Sequence, residues 1–365
     1  MPSLPYLDEF RSGSQLPGLL EELETLVNDG PKRRIMEVCG THTMAISRHG
    51  IRQALPPELV LISGPGCPVC VTANTDIDRF IEIAMLPDVI AVSFGDMMRV
   101  PGTRMGLAQA RSRGAQVRIV YSTLDALELA RQNAGKEIVF FGVGFETTAP
   151  TVAAALIAAR DSGIDNFSVL SVHKVVPPAL EALCGIDGLA VDAFLCPGHV
   201  TAIIGPHAYD AAAAEHGMPC VISGFETADI LQSLIMLVSQ LEEGRSEVET
   251  QYTRGVRPDG NPAALAVMND VFEPCDAEWR GLGPIPGSGL AIRKEFADFD
   301  AAGKFDVDVS YSQEPQGCIC GSVLTGMKIP VDCRLFGKAC SPEHPVGPCM
   351  VSSEGTCAAY YQYEI

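Results

Sequence analysis

Between residues 31 and 240 the chain is punctuated by apolar, β-branched runs: Ile35–Val38, Leu59–Ile62, Val89–Phe94, Val117–Tyr121, Ile138–Val143, Phe167–Val172, Ala193–Leu195 and Cys220–Ser223. They do not alternate cleanly between apolar and polar, so each is predicted as a strand buried on both faces. Segments with apolar residues at helical spacing lie among them, at Met44–Leu55, Thr75–Ala84, Leu124–Asn133, Val152–Ser162 and Ala228–Leu241. Strands alternating with helices imply an α/β fold built on parallel sheets. The eight runs divide at Ala134-Gly135-Lys136 into two sets of four, which predicts one α/β domain over 31–135 and a second over 136–244. Ahead of them LPGLLEELETLV reads as a helix within residues 1–30, stopped by Asn28-Asp29-Gly30-Pro31. Residues 245–316 are rich in Gly and Pro, with a helix expected at Ala263–Phe272, and read as a connector to the C-terminal tail.

One short pattern occurs twice. Gly144-Phe145-Glu146-Thr147 follows one predicted strand and Gly224-Phe225-Glu226-Thr227 follows another, each ahead of a helical pattern. A shared strand-to-helix turn explains this, with Gly permitting the turn and Thr available as a cap.

Cysteine usage changes the picture. Six of the 13 cysteines, Cys318, Cys320, Cys333, Cys340, Cys349 and Cys357, fall in the last 48 residues. A Gly- and Pro-rich tail cannot build a large core, so disulfides, zinc or an iron–sulfur cluster must staple it. The N-terminal MPSLPYLDEF has no basic segment followed by an apolar one and is not read as a signal peptide, which predicts a cytoplasmic protein. Thiols stay reduced there, favouring metal ligands or redox cysteines over structural disulfides. No apolar stretch approaches the roughly 20 residues of a membrane span. The net charge of −19 argues against nucleic acid as a partner.

Chemistry concentrates at predicted strand ends. Cys67-Pro68-Val69-Cys70 sits between a strand and a helix start, where a helix N-terminus favours a thiolate. Such a pair serves redox exchange, a soft metal, or half of a structural zinc site. Cys39 ends the preceding strand in MEVCGTHTM, with Gly40 for the turn, Thr41 or Thr43 as a cap and His42 three residues from the thiol. Consecutive strands are usually neighbours, so Cys39 and Cys67 are expected to face one cleft. His42 is either part of that chemistry or a buried structural imidazole. Three further strand-end loops are GVGFETTAP, whose Glu146 is expected to face the cleft, SVHKVVPP with His173 and Lys174, and CPGH at Cys196–His199. GxxxxGK[ST] is absent and GVGFET is not GxGxxG, so no motif supports a nucleotide site. Cys184, Cys196, Cys220 and Cys275 are scattered and read mostly as packing residues. In the tail, steps of 13, 7, 9 and 8 residues from Cys320 onward match neither paired zinc nor bacterial ferredoxin spacing. Four thiolates that meet in the fold would still hold a cluster.

Taken together, EVCGTHT, GPGCPVC, GFETTAPT, SVHKVVPPA, PGHV, the second GFET and CGSVLTG…CRLFGKAC…GPCMVSSEGTCAAYY resemble the HypD family of [NiFe]-hydrogenase maturation proteins over nearly the whole chain. The resemblance implies two α/β domains around a cleft and a third domain, here 1–30 with 245–365, that holds a [4Fe–4S] cluster. It implies a scaffold that works with a HypC-like small chaperone. On it an iron ion receives two cyanides and one carbon monoxide; a HypE-like donor supplies cyanide made from carbamoyl phosphate by HypF. Carried onto this chain, Cys39, Cys67 and Cys70 are the cleft thiols and iron ligands, and Cys320, Cys333, Cys340 and Cys357 hold the cluster, leaving out Cys318 and Cys349. His42 then positions or protonates a ligand, and Glu146 polarises the cleft. Two other classes remain: a cluster-dependent dithiol–disulfide oxidoreductase working through Cys67 and Cys70, and a zinc-stapled binding module.

Overall fold

A computed structural model describes residues 13–28, 30–186 and 188–364. The reading of residues 1–10 as no leader, and Asp29 of the expected helix stop, lie outside the described residues. All eight predicted strands form: β1 (Arg33–Glu37), β2 (Leu59–Ser63), β3 (Val89–Ser93), β4 (Gln116–Ile119), β5 (Glu137–Gly142), β6 (Phe167–Ser171), β7 (Ala193–Pro197) and β8 (Cys220–Ser223). Helices follow the apolar periodicity, at Leu16–Val27, Gly40–Arg48, Asn74–Ala84, Thr123–Gln132, Ala149–Asp161, Thr227–Glu243 and Pro262–Val271. No helix among the described residues is long and apolar enough to cross a membrane.

The strands form two parallel sheets, with β9 (Val248–Thr250) completing the first. Their orders are β2-β1-β7-β8-β9 and β4-β3-β5-β6. The expected halves 31–135 and 136–244 do not coincide with these sheets. That boundary falls between β4 and β5, which share a sheet, whereas β7 returns to lie beside β1 with Ile35 opposite Ala193 and Glu37 opposite Leu195. The second sheet is therefore an insertion, over 89–171, into the unit that begins with β1 and β2 and resumes at β7. Uniformly apolar strands carry no mark of which neighbour they will choose, so chain order alone misplaces the boundary.

The connector is more ordered than its composition suggests. A long antiparallel hairpin, β10 (Phe272–Trp279) and β11 (Gly283–Ile292), runs from one sheet towards the other. Its sequence GPIPGSGLAI lacks the alternation that marks a free hairpin, because the hairpin is held by what it touches. Trp279 is fully buried, donates its indole N–H to Ser288 Oγ at 2.8 Å, and stacks on Phe145 at 6.0 Å between centroids. Arg280 N–H donates to Val71 O and Val175 N–H to Ser288 O, both at 2.9 Å, so the hairpin bridges the segment after Cys70 and the loop after β6. Trp279→Ala is expected to cost about 3–5 kcal/mol, read as a drop in the urea midpoint, because the wedge between the two units is lost.

Candidate functional site

In an open parallel sheet, ligands gather where the chain reverses its direction of strand addition, at the carboxyl ends of the two strands flanking that point. In the first sheet those strands are β1 and β7. Cys39 follows β1 and occupies the N-cap position of the helix Gly40–Arg48, and His199 follows β7 in the first turn of the helix Gly198–Ile204. Cys39 Sγ lies 3.8 Å from His199 Nε2 across that switch point.

The Cys67 loop is drawn against this pair. Gly40 N–H donates to Gly66 O at 2.8 Å, and a side chain at position 66 would overlap the Cys39 backbone, so only glycine lets the two loops meet. Cys67 and Cys70 are disulfide-bonded around the short helix Pro68–Val71, with Cα atoms 5.2 Å apart. Both are buried. Of the expected trio of iron-ligand thiols, Cys39 alone is free in this form.

His42 is buried with Nε2 2.8 Å from Gly224 O. A carbonyl only accepts, so Nε2 carries the proton and Nδ1 is a bare lone pair; Nδ1 has no hydrogen-bond partner. The second GFET supplies the wall of this site. Phe225 stacks on both His42, at 4.8 Å between centroids, and His199, at 5.0 Å. The first GFET turns elsewhere: Phe145 packs on Trp279, and Glu146 Oε1 accepts the Val176 N–H at 2.8 Å at the start of the helix Val176–Cys184. Lys174 likewise lies at the end of the second sheet, 3.6 Å from Asp76. The threonines expected to cap Gly40–Arg48 make no cap bond; Thr43 Oγ1 donates instead to Glu37 Oε1 at 2.6 Å.

All six tail cysteines line one narrow cavity, whose remaining walls include Ile319, Val323, Leu335, Phe336 and Met350. Cys320 and Cys349 Sγ stand 2.7 Å apart. Among the described residues no three His, Cys, Asp or Glu side chains converge on a single bare ion, but a cluster needs thiols spread around a volume, in apolar surroundings, and this cavity offers that. The Cys67–Cys70 disulfide borders it: Cys70 Sγ is 4.0 Å from the carbonyl of Pro348, the residue before Cys349. From the same tail Glu354 accepts the Thr41 hydroxyl at 2.7 Å, and Glu364 accepts that of Ser47 at 2.6 Å. Cysteine tail, disulfide and Cys39 thus form one continuous region.

Comparison with known proteins accords with this arrangement. The HypD family model, described as the hydrogenase formation hypA family, matches residues 15–364. A hydrogenase maturation factor HypD of Rhodobacter capsulatus is 47% identical, covering 99% of this chain and 98% of its own length. One of Azotobacter vinelandii is 46% identical over 99% and 97%. A putative hydrogenase expression/formation protein of Methanocaldococcus jannaschii is 42% identical over 94% and 96%. The chain belongs to the HypD family.

In this HypD-family chain, burial governs the electrostatics. It pushes the Cys39 thiol up to about 12, with Glu354 and Glu37 adding to the effect against the backbone N–H of His42. It holds His42 and His199 down to about 4, so both are neutral at physiological pH. In the tail, hydrogen bonds from Cys318 and Cys349 lower Cys320 well below the usual thiol value. Two residues escaped sequence reading. His199 stood in a noted strand-end loop without a role. Glu37 was passed over inside the apolar run IMEV, where a lone carboxylate in a buried strand was the available signal.

Glu146 is buried, and desolvation raises it from 4.5 to about 7. The folded state therefore keeps this proton up to about pH 7 while the unfolded chain releases it near 4.5. Stability from this group is full below pH 4.5 and falls as pH rises to 7. Glu146→Gln keeps an acceptor for Val176 and cannot ionise. Relative to wild type it is expected to gain about 3 kcal/mol between pH 4.5 and pH 8 in urea titrations.

Proposed function

We propose that this chain is a hydrogenase maturation scaffold that binds an iron ion as cargo and, with a HypC-like small chaperone and a HypE-like cyanide donor, assembles its cyanide and carbon monoxide ligands. The observation that carries this reading is the Cys39–His199 pair, 3.8 Å apart at the switch point of the first sheet. A low-spin Fe(II) with diatomic ligands favours a soft sulfur donor. Cys39 is neutral until a cation displaces its proton, and His199 Nε2 is placed to take that proton. His42 offers a second lone pair at Nδ1, its tautomer fixed by Gly224 in the manner of metal-binding imidazoles. Reduction of the Cys67–Cys70 disulfide by two electrons and two protons would release two more thiols beside Cys39.

The tail cavity fits a [4Fe–4S] cluster. Cys320, Cys333, Cys340 and Cys357 are the proposed ligands among the six that line it. When bound, the cluster supplies an electron reservoir next to the disulfide. The chain's own part is to shield it: Phe336 and Tyr361 pack edge to face at 6.1 Å over this end of the tail. The oxidoreductase reading is less well supported. Cys67 is 3% exposed and Cys70 not at all, whereas exchange with an outside disulfide needs an accessible attacking sulfur.

An infrared spectrum of the anaerobically purified complex with a HypC-like chaperone tests this. Metal-bound cyanide and carbon monoxide bands are expected where protein is nearly silent. A blank window, with labile sulfide present and disulfide reduction dependent on Cys67 and Cys70, would replace the scaffold with the oxidoreductase.

A further inference from the structure

The Cys39 turn is held by an unusual partner. Glu37, the last residue of β1, is completely buried, although its side chain is ionisable. Its two carboxyl oxygens do different jobs. Oε2 accepts the backbone N–H of Cys39 at 3.1 Å, and Oε1 accepts the Thr43 hydroxyl at 2.6 Å. Its own main-chain carbonyl accepts Gly64 N–H at 2.8 Å, tying in the end of β2. One side chain therefore joins strand β1, the cysteine turn and the second turn of the helix Gly40–Arg48. Burying a carboxyl costs several kcal/mol unless its hydrogen bonds compensate, and an apolar residue would continue the run IMEV at no such cost.

Cys39 N–H would otherwise be an orphan donor at the helix start. Glu37 satisfies it and so holds the turn from which Sγ faces His199.

We infer that Glu37 is a positioning residue: its carboxyl clamps the Cys39 turn and fixes where the thiol stands relative to His199. The role is geometric, which makes it separable from charge. In Glu37→Gln the amide oxygen can still accept Cys39 N–H. The amide NH2 can donate to Thr43 Oγ1, whose own proton turns to Cys39 O, already 3.3 Å away. In Glu37→Asp the shorter side chain cannot span both partners, and in Glu37→Ala the clamp is gone.

The test is the rate of Cys39 alkylation by iodoacetamide, followed by peptide mass spectrometry on the full folded chain, with circular dichroism as the fold control. Glu37→Gln is expected to match wild type, and Glu37→Asp and Glu37→Ala to react up to about tenfold faster, the change expected when the turn opens more often for loss of a buried hydrogen bond. Should Glu37→Ala fail to fold, Thr43→Val removes one arm of the clamp and is expected to give an intermediate rate. Unchanged alkylation in Glu37→Asp and Thr43→Val would overturn the inference. So would Glu37→Gln behaving like Glu37→Asp, since that outcome assigns the role to charge. A second arm rests on the iron-scaffold reading: in the chaperone complex, cyanide and carbon monoxide bands should keep their positions in Glu37→Gln and shift or weaken in Glu37→Asp. If wild type shows no bands, that reading fails while the alkylation arm still decides the clamp.

Discussion

Cys39→Ser is expected to abolish the cyanide and carbon monoxide infrared bands of the chaperone complex while leaving the fold intact. Serine is close in size, and Cys39 sits in a turn whose backbone is held by Glu37, Gly66 and Thr43 and not by its sulfur. The change therefore removes one soft donor atom and little packing, and the melting temperature should stay close to wild type. Loss of an outer-sphere partner alone typically costs about 10–100-fold in metal affinity, so loss of the sulfur is expected to exceed the upper end of that range. His199→Ala should be milder, since it removes the neighbouring base and leaves the sulfur. Bands of wild-type strength in Cys39→Ser would move the iron away from the switch point of the first sheet and with it the scaffold reading.

What the sequence could and could not reveal follows from where each signal resides. Cys39 and Cys67 were expected to meet because consecutive strands tend to pair, and β1 and β2 do pair, from Arg33 opposite Leu59 to Glu37 opposite Ser63. That local rule says nothing of β7, which joins β1 only after the whole second sheet has been inserted. His199 arrives with β7, so its contact with Cys39 was invisible for the same reason that the domain boundary was misplaced. The twin GFET segments are expected to share one strand-to-helix turn with Thr as a cap, but one helix starts at Ala149 with Thr148 as its N-cap residue and the other at Thr227 with Glu226, and neither Thr147 nor Thr227 caps. Their neighbours differ as well: Phe225 meets two imidazoles and Phe145 meets Trp279. The same four residues are shaped by the topology around them. The hairpin β10–β11 was missed because its stability comes from burial of Trp279 between units and not from any alternation of its own.

The tail carries the other large effect. Its own apolar cluster is small, with Cys340, Met350 and Ala358 the buried members, so a bound cluster would contribute much of its folding free energy. Cys333→Ala and Cys340→Ala are each expected to reduce acid-labile sulfide from about four per chain to below one. Cys318→Ala should retain it, because Cys320 can still form the proposed set with Cys333, Cys340 and Cys357. The damage should not stop at the tail. The terminal helix Thr356–Tyr363 lies against Gly40–Arg48, Thr41 is bonded to Glu354, and Arg52 lies over the Tyr360 ring at 5.2 Å. A loosened tail would release the helix that begins at Cys39. Cys333→Ala is therefore expected to lower both the melting temperature and the iron-bound cyanide signal, and Cys318→Ala neither. Labile sulfide retained in Cys333→Ala but lost in Cys318→Ala would exchange the ligands between those two positions while keeping the cavity as the site. Full sulfide in all six single variants would remove the cluster from the cavity altogether.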